Sequence, residues 1–406
     1  MSSMLRTETD LPSLNRDLLD DIRADNYAGY DPFDSLNSRV LQATPLKHSA
    51  FARLAWLQLN KRSPVNLRPF LMVPKKRNPK GIGLFISGLL QDYRRTGDGF
   101  YLEEARQLAD WLLTQNSDIA QWHHSCWGYH FDWQARAFYV PAGKPNIITT
   151  VYVARALYEL GELISDPRLI EIALDSAHFI SRHLYTETDE RCFYAYIPGE
   201  NAFVHNASLW GAAWCAFAGR QQNNDALVQQ ALKVARLSVS EQAEDGSWMY
   251  GARHHHQFID GFHTGYNLEA LCMLRDVLDS NEFDCCIEKG YRYYVSTFFE
   301  ADGTAKYYNH STYPLDMHSF AQAVFTLLKV GSRPEDRLLS DKVVQRAINL
   351  MYLPQKKQFI YQKSRWITNR INYIRWTQAW SYYALAFYNH HVAATEGPFL
   401  IREKTQ

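Results

Sequence analysis

The feature that most constrains this chain is an alternation of two kinds of helical segment. Apolar spacing between breakers predicts twelve helices, over about 46–60, 81–95, 99–116, 147–163, 168–184, 207–220, 224–242, 263–279, 283–299, 317–331, 339–352 and 375–391. ARQLADWLLTQN and ALVQQALKVARLSV carry one apolar stripe each, the pattern of a helix buried on one side. GLFISGLL, IITTVYVARALYELGEL, ASLWGAAWCAFAG and NLEALCMLRDVL are apolar nearly all round and demand burial on every side. The all-apolar segments begin near 81, 147, 207, 263, 317 and 375, about 54–66 residues apart. Short links (RTGD, SDPR, QQN, SNE) lead from them to the striped helices. The links back are about 17–30 residues long, and loops of that length inside a compact domain are usually functional.

Six inner helices, six outer helices and six long loops on one face describe an all-α (α/α)6 toroid. The long loops all enter inner helices at their N-terminal ends, so one face is expected to form a funnel. An open solenoid of helix pairs is the alternative, but its repeats are shorter, ~34–47 residues, and more regular. The expected organisation is an N-terminal arm over 1–45, the toroid over 46–391 and a tail over 392–406, with 46–60 counted among the outer helices.

Lys and Arg total 43 and Asp and Glu total 43. That balance points to no basic face for nucleic acid or anionic lipid. No stretch approaches the ~20 uncharged apolar residues of a membrane span, and MSSMLRTETDLPSLNRDLLDD has no apolar signal region. The six cysteines form no CxxC, which suits reduced thiols in a cytoplasmic protein. No cofactor is expected.

The chain is rich in aromatics, with 11 Trp, 25 Tyr and 21 Phe. Four long loops share a texture: WHHSCWGYHFDWQARAFYV, RCFYAYIPGENAFVHN, GSWMYGARHHHQFIDGFH and GTAKYYNHSTYPLDMH. A fifth, KQFIYQKSRWITNRINYIRW, resembles them but is basic. Core packing accounts for many of their rings. A sugar cleft accounts for others, since aromatic faces stack on the apolar faces of pyranoses. Trp127, Tyr129, His130, Trp248, Tyr250, Tyr308 and Trp376 are candidates for such a cleft.

Asp132, Glu200, Asp260 and Asp316 fall in these loops. Asp260 and Asp316 precede inner helices, where a carboxylate caps free N–H groups. Asp132 has no helix directly after it, so capping explains it less well. His205, His263 and His318 stand at helix starts, where the dipole keeps a histidine neutral and able to transfer protons. Asn206 and Tyr266 stand beside them. Arg365, Arg370 and Arg375 suit carboxylate or phosphate groups. The run His254–His256 lacks the i, i+4 or carboxylate spacing of a zinc site, and no metal is expected.

YDPFDSLNS, WGYHFDWQ and FIDGFHTGYNLEAL resemble a family encoded in capsule, exopolysaccharide and O-antigen gene clusters. The likeness runs from about residue 30 to 390, and the layout resembles the six-hairpin glycosidase-like superfamily. It implies an (α/α)6 fold, an oligo- or polysaccharide substrate and an association with polysaccharide biosynthesis machinery. It names no reaction. Glycoside hydrolysis needs two carboxylates, and Asp132 with Asp260 is the pair expected from the sequence, Asp316 standing in reserve. Proton abstraction beside a uronate carboxylate, as in an epimerase or lyase, would draw on His205, Asn206, His263, Tyr266, Tyr308 and Arg370. A non-catalytic glycan-binding component would keep the aromatic funnel and use the carboxylates only as caps. DxDD, the terpene-cyclase signature, is absent.

Overall fold

The computed structural model describes residues 10–134, 139–188 and 191–402, with side chains to 394. The first nine residues of the expected arm and the last four of the expected tail lie outside them. Fifteen helices follow in chain order among the described residues: α1 (Leu11–Ala24), α2 (Arg39–Gln42), α3 (Ala50–Arg62), α4 (Pro79–Thr96), α5 (Gly99–Thr114), α6 (Ile119–Trp122), α7 (Ile147–Ile164), α8 (Pro167–Phe179), α9 (His205–Gln221), α10 (Asp225–Ser240), α11 (Gly261–Leu278), α12 (Asp284–Thr297), α13 (Met317–Lys329), α14 (Pro334–Met351) and α15 (Trp380–Arg402). A π-turn, Ile180–Leu184, extends α8, and another, Ile374–Ala379, leads into α15.

The all-apolar segments become the inner ring. α4 packs on α7, α7 on α9, α9 on α11, α11 on α13, α13 on α15, and α15 returns to α4. That last contact closes the ring and excludes an open solenoid. Small residues bring inner helices close. A Cβ on Gly88 would stand 2.6 Å from the Tyr382 ring, and one on Gly265 2.5 Å from Thr326 Oγ1. Each inner helix carries an outer partner: α5 on α4, α8 on α7, α10 on α9, α12 on α11 and α14 on α13.

The sixth outer helix corrects the expected arrangement. It is α1, within the segment expected to be an arm, and it packs on α15. Leu14, Leu18, Leu19 and Ile22 recur at helical spacing and join the main core. The helix expected over 46–60 is α3, and it lies outside the ring. It packs on the turns over 34–37 and 45–48 and on the strand Trp133–Gln134. Its one fully buried leucine, Leu57, belongs to a small separate cluster with Leu36 and Leu41.

The funnel forms at the N-terminal ends of the inner helices, as the loop pattern implies. Asn78, Asn146, Asp260 and Asp316 cap α4, α7, α11 and α13. Val204 occupies that position in α9 and makes no side-chain cap. Asn206, in the first turn of α9, does not serve as that cap.

Candidate active site

A cavity of about 490 Å³ opens at this end of the ring. α3 covers one side, placing Leu54, Leu57, Gln58 and Lys61 on the wall. Nine of the candidate residues line it: Tyr129, Glu200, Asn206, Tyr250, His263, Tyr266, His318, Arg375 and Trp376.

Asp260 and His263 form the sharpest local geometry. Asp260 Oδ1 accepts the backbone N–H of His263 at 2.8 Å, and its Oδ2 meets His263 Nδ1 at 2.7 Å. One carboxylate thus caps α11 and orients the ring. Both roles read from the sequence coexist, because the side chain has two oxygens. The Asp260 side chain is fully buried, while that of His263 keeps 20% exposure toward the cavity. Tyr250 packs on the imidazole with ring centres 4.5 Å apart.

His318 lies deeper. Phe262 and Trp380 sandwich its ring at 4.7 and 4.5 Å, and Trp376 meets it edge-on. Its Nε2 is 2.5 Å from Tyr266 Oη. Burial, then the positive charge of Lys80, holds its pKa well below the usual histidine value, so the ring stays neutral. His318 Nδ1 and Asn206 Oδ1 are buried on the wall without a hydrogen-bond partner among the described residues. Buried polar atoms of this kind suit a polyhydroxylated ligand that would satisfy them.

Lys80 and Arg375 also stand on the wall. Lys80, in the first turn of α4, is 3% exposed. Its ammonium faces the rings of Tyr152, Trp380 and Tyr266 at 4.5, 5.3 and 5.7 Å, and burial lowers its pKa well below the usual lysine value. Arg375 is clamped by Asp31, Nε to Oδ2 at 2.6 Å and Nη2 to Oδ1 at 2.8 Å, and lies over the ring of Tyr129. Arg375 was visible as part of the basic loop, and Asp31 within YDPFDSLNS. Nothing in the sequence joined them, 344 positions apart. Lys80 was legible only as a charge opening an apolar helix.

The remaining expected residues stand off the cavity. Asp132 lies on the rim, where its Oδ1 accepts the backbone N–H of Ala142 at 2.8 Å. It is not among the residues that line the cavity. His205 packs on Phe203 and points its Nε2 toward Glu241 at 3.7 Å, away from the cavity that its neighbour Asn206 enters. Successive residues of a helical turn diverge, so only one of the two reaches the site. His130 Nδ1 pairs with Asn78 Nδ2 at 3.1 Å behind the wall.

Trp127 and Trp248 are core residues, their Nε1–H groups donating to the carbonyls of Leu112 and Ser238. Tyr308 pairs with Asp260 through the backbone and stacks its ring on His310, while Tyr307 takes the wall position. Arg370 is exposed. Asp316 caps α13 and accepts Trp376 Nε1–H at 3.1 Å and Gln362 Nε2–H at 3.2 Å. It positions Trp376 from behind, and burial pushes its pKa up to about 7. Among the described residues no cluster of three His, Cys, Asp or Glu is placed to hold a metal ion.

Glu200 is the one carboxylate among the described residues lining the cavity, and it is ion-paired with Arg253. Against it stand Lys61, Lys80, Arg253 and Arg375.

No family model and no curated protein matches the chain. Solved structures do. An unsaturated glucuronyl hydrolase specific for heparin aligns over 95% of this chain and 96% of its own, at 11% identity and a TM-score of 0.63. Cellobiose 2-epimerase from Bacillus thermoamylovorans aligns over 95% and 100%, at 10% identity and a TM-score of 0.61. A sugar epimerase from a ruminal bacterium aligns over 95% and 98%, at 10% identity and a TM-score of 0.61. This chain therefore shares the fold of these structures, a closed (α/α)6 toroid.

Proposed function

We propose that this protein is a carbohydrate-active enzyme that moves a proton at a sugar carbon, an epimerase or isomerase, with His263 as its base. The observation that carries this reading is His263 on the cavity wall, held by Asp260 buried behind it. A carboxylate can only accept, so Nδ1 of His263 is the donor and Nε2 keeps its lone pair for substrate. His318, neutral and bonded to Tyr266, is the second proton-transfer group. The clamped Arg375 supplies positive charge, and Lys80 a further N–H donor, for the oxyanion that forms when a proton leaves the carbon beside a carbonyl. Trp376, Tyr129 and Phe131 offer ring faces to the sugar.

The sugar class comes from the likeness to sugar-acting proteins, two of them named as epimerases. The reaction class comes from the residues here. Glycoside hydrolysis by inversion needs two carboxyl groups ~6.5–9.5 Å apart flanking the bond. Asp132 stands off the wall and Glu200 is tied to Arg253, which weighs against the pair expected from the sequence. With Arg253 paired to Glu200 and Arg375 to Asp31, Lys61 and Lys80 are the wall groups left to favour an acidic sugar such as a uronate. A role in a polysaccharide assembly system and a cytoplasmic location rest on the sequence resemblance and on the six free cysteines.

Incubation with neutral and uronic reducing sugars, read by NMR, tests this function. A new epimer or ketose at constant total sugar supports it. Release of a shorter sugar indicates hydrolysis, and binding without conversion indicates a glycan-binding role.

A further inference from the structure

The net charge is zero, yet the basic residues are unevenly placed. No Asp or Glu occurs between Asp34 and Asp92, where ten Lys and Arg stand, and none between Asp341 and Glu396, where eight stand. The balanced total hides this segregation along the chain.

The fold brings the two acid-free stretches together. Asn369 Nδ2 donates to the Ser63 carbonyl at 3.3 Å, and Arg68 Nη1 donates to Tyr373 Oη at 2.9 Å. The hairpin formed by Gln362–Lys363 and Thr368–Asn369 therefore meets the chain just past the end of α3.

Large apolar side chains stand in solvent on these stretches. Trp366 is 86% exposed, Phe51 82%, Phe70 80%, Leu59 and Val65 61% each and Ile367 55%. Leu59 stands on the side of α3 away from Leu57 and Lys61, and Phe51 stands in solvent at the start of the helix. Trp366 and Ile367 form the hairpin tip. Arg62, Arg365 and Arg370 are exposed and Lys363 is half-buried beside them. None of the four has an ion pair among the described residues, whereas Lys75 and Lys357, farther along the same stretches, pair with Asp25 and Asp17.

We propose that this face docks the protein onto an anionic lipid bilayer. Trp366, Phe51 and Leu59 enter the headgroup region, and Arg62, Lys363, Arg365 and Arg370 meet lipid phosphates. Apolar insertion and attraction to anionic lipid add in such contacts, and tryptophan favours the interface because one end of its ring is polar. No helix among the described residues is long and apolar enough to cross a membrane, so the contact is with one leaflet.

A second copy fits this face less well, because a two-fold contact would gather both sets of cations in one interface with no carboxylate from these stretches to offset them. Nucleic acid would engage the cations and leave Leu59, Val65 and Ile367 in water. Docking in this orientation sets α3, one wall of the cavity, against the lipid surface. The inference does not depend on the reaction proposed above.

Flotation of the full chain with vesicles tests it. The chain should float with vesicles of equal parts phosphatidylglycerol and phosphatidylcholine, and not with phosphatidylcholine alone. Added salt should weaken the binding. The double variants Leu59→Ser/Trp366→Ser and Arg365→Glu/Arg370→Glu should each lower the bound fraction about tenfold, with unchanged circular dichroism and melting. Failure to float with anionic vesicles overturns the proposal, as does equal flotation of the variants. A stable dimer in light scattering that Leu59→Ser/Trp366→Ser dissociates overturns it in favour of a second copy. Retention of a labelled single-stranded RNA but not of vesicles overturns it in favour of nucleic acid.

Discussion

Asp260 holds His263 at two points, accepting its backbone N–H at 2.8 Å and meeting its ring Nδ1 at 2.7 Å. The start of α11 and the orientation of the proposed base are thus set by one side chain. Stability and activity can be separated there. Asparagine caps a helix about as well as aspartate, so Asp260→Asn should change stability by no more than about 1 kcal/mol. The same change removes the negative charge behind the imidazole, and turnover should fall by roughly 10²-fold or more. Melting curves and turnover measured on one preparation check both halves.

Lys80 should show the opposite pairing of effects. A buried ammonium surrounded by ring faces is held at a cost to folding, which its lowered pKa reports. Lys80→Met should therefore raise the melting temperature and abolish most activity. A destabilised variant with normal activity would remove Lys80 from the site.

Asp31 and Arg375 are both buried and share two hydrogen bonds. Arg375→Met leaves the Asp31 carboxylate buried and unpaired, which should cost about 3–5 kcal/mol. Adding Asp31→Asn should recover a large part of that loss. A double-mutant cycle by urea denaturation measures the coupling.

Stability should rise with pH between about 4 and 6.5. Burial pushes His130, His205 and His256 down to about 4 and His318 well below its usual value. In that window the unfolded chain binds protons on these groups that the folded chain does not, so raising the pH favours the folded state. Asp316 and Asp34, pushed up to about 7 by burial, work the other way, since the folded chain keeps protons that the unfolded chain has lost. Four histidines outweigh two carboxyls over that window. His205→Gln, away from the cavity, should reduce the slope by about one proton, or ~1.4 kcal/mol per pH unit. Melting temperatures across pH 4–8 check the sign.

The ring was legible because burial on all sides writes itself into an inner helix at every position. α7, read over 147–163, is observed over Ile147–Ile164. The closure was not legible. α1 and α3 both carry helical apolar spacing, and only the contact of α1 with α15, at the far end of the chain, decides which completes the ring. The site divides along the same line. Asp260, His263 and Tyr266 belong to one helix start and were read together from DGFHTGY. Asp132 was misplaced because its partner, the N–H of Ala142, is fixed by a hairpin that spacing does not encode. His205 and Asn206 differ by one position, and only the tertiary fold says which of them enters the cavity.

The most direct test of the proposed chemistry is incorporation of deuterium from solvent. A reducing sugar that the protein converts is incubated in D₂O and followed by NMR at the carbon beside the carbonyl. Wild-type protein should exchange that C–H for C–D as the sugar is converted, and His263→Gln should do neither. Conversion without deuterium at that carbon, or full exchange by His263→Gln, would contradict His263 as the base.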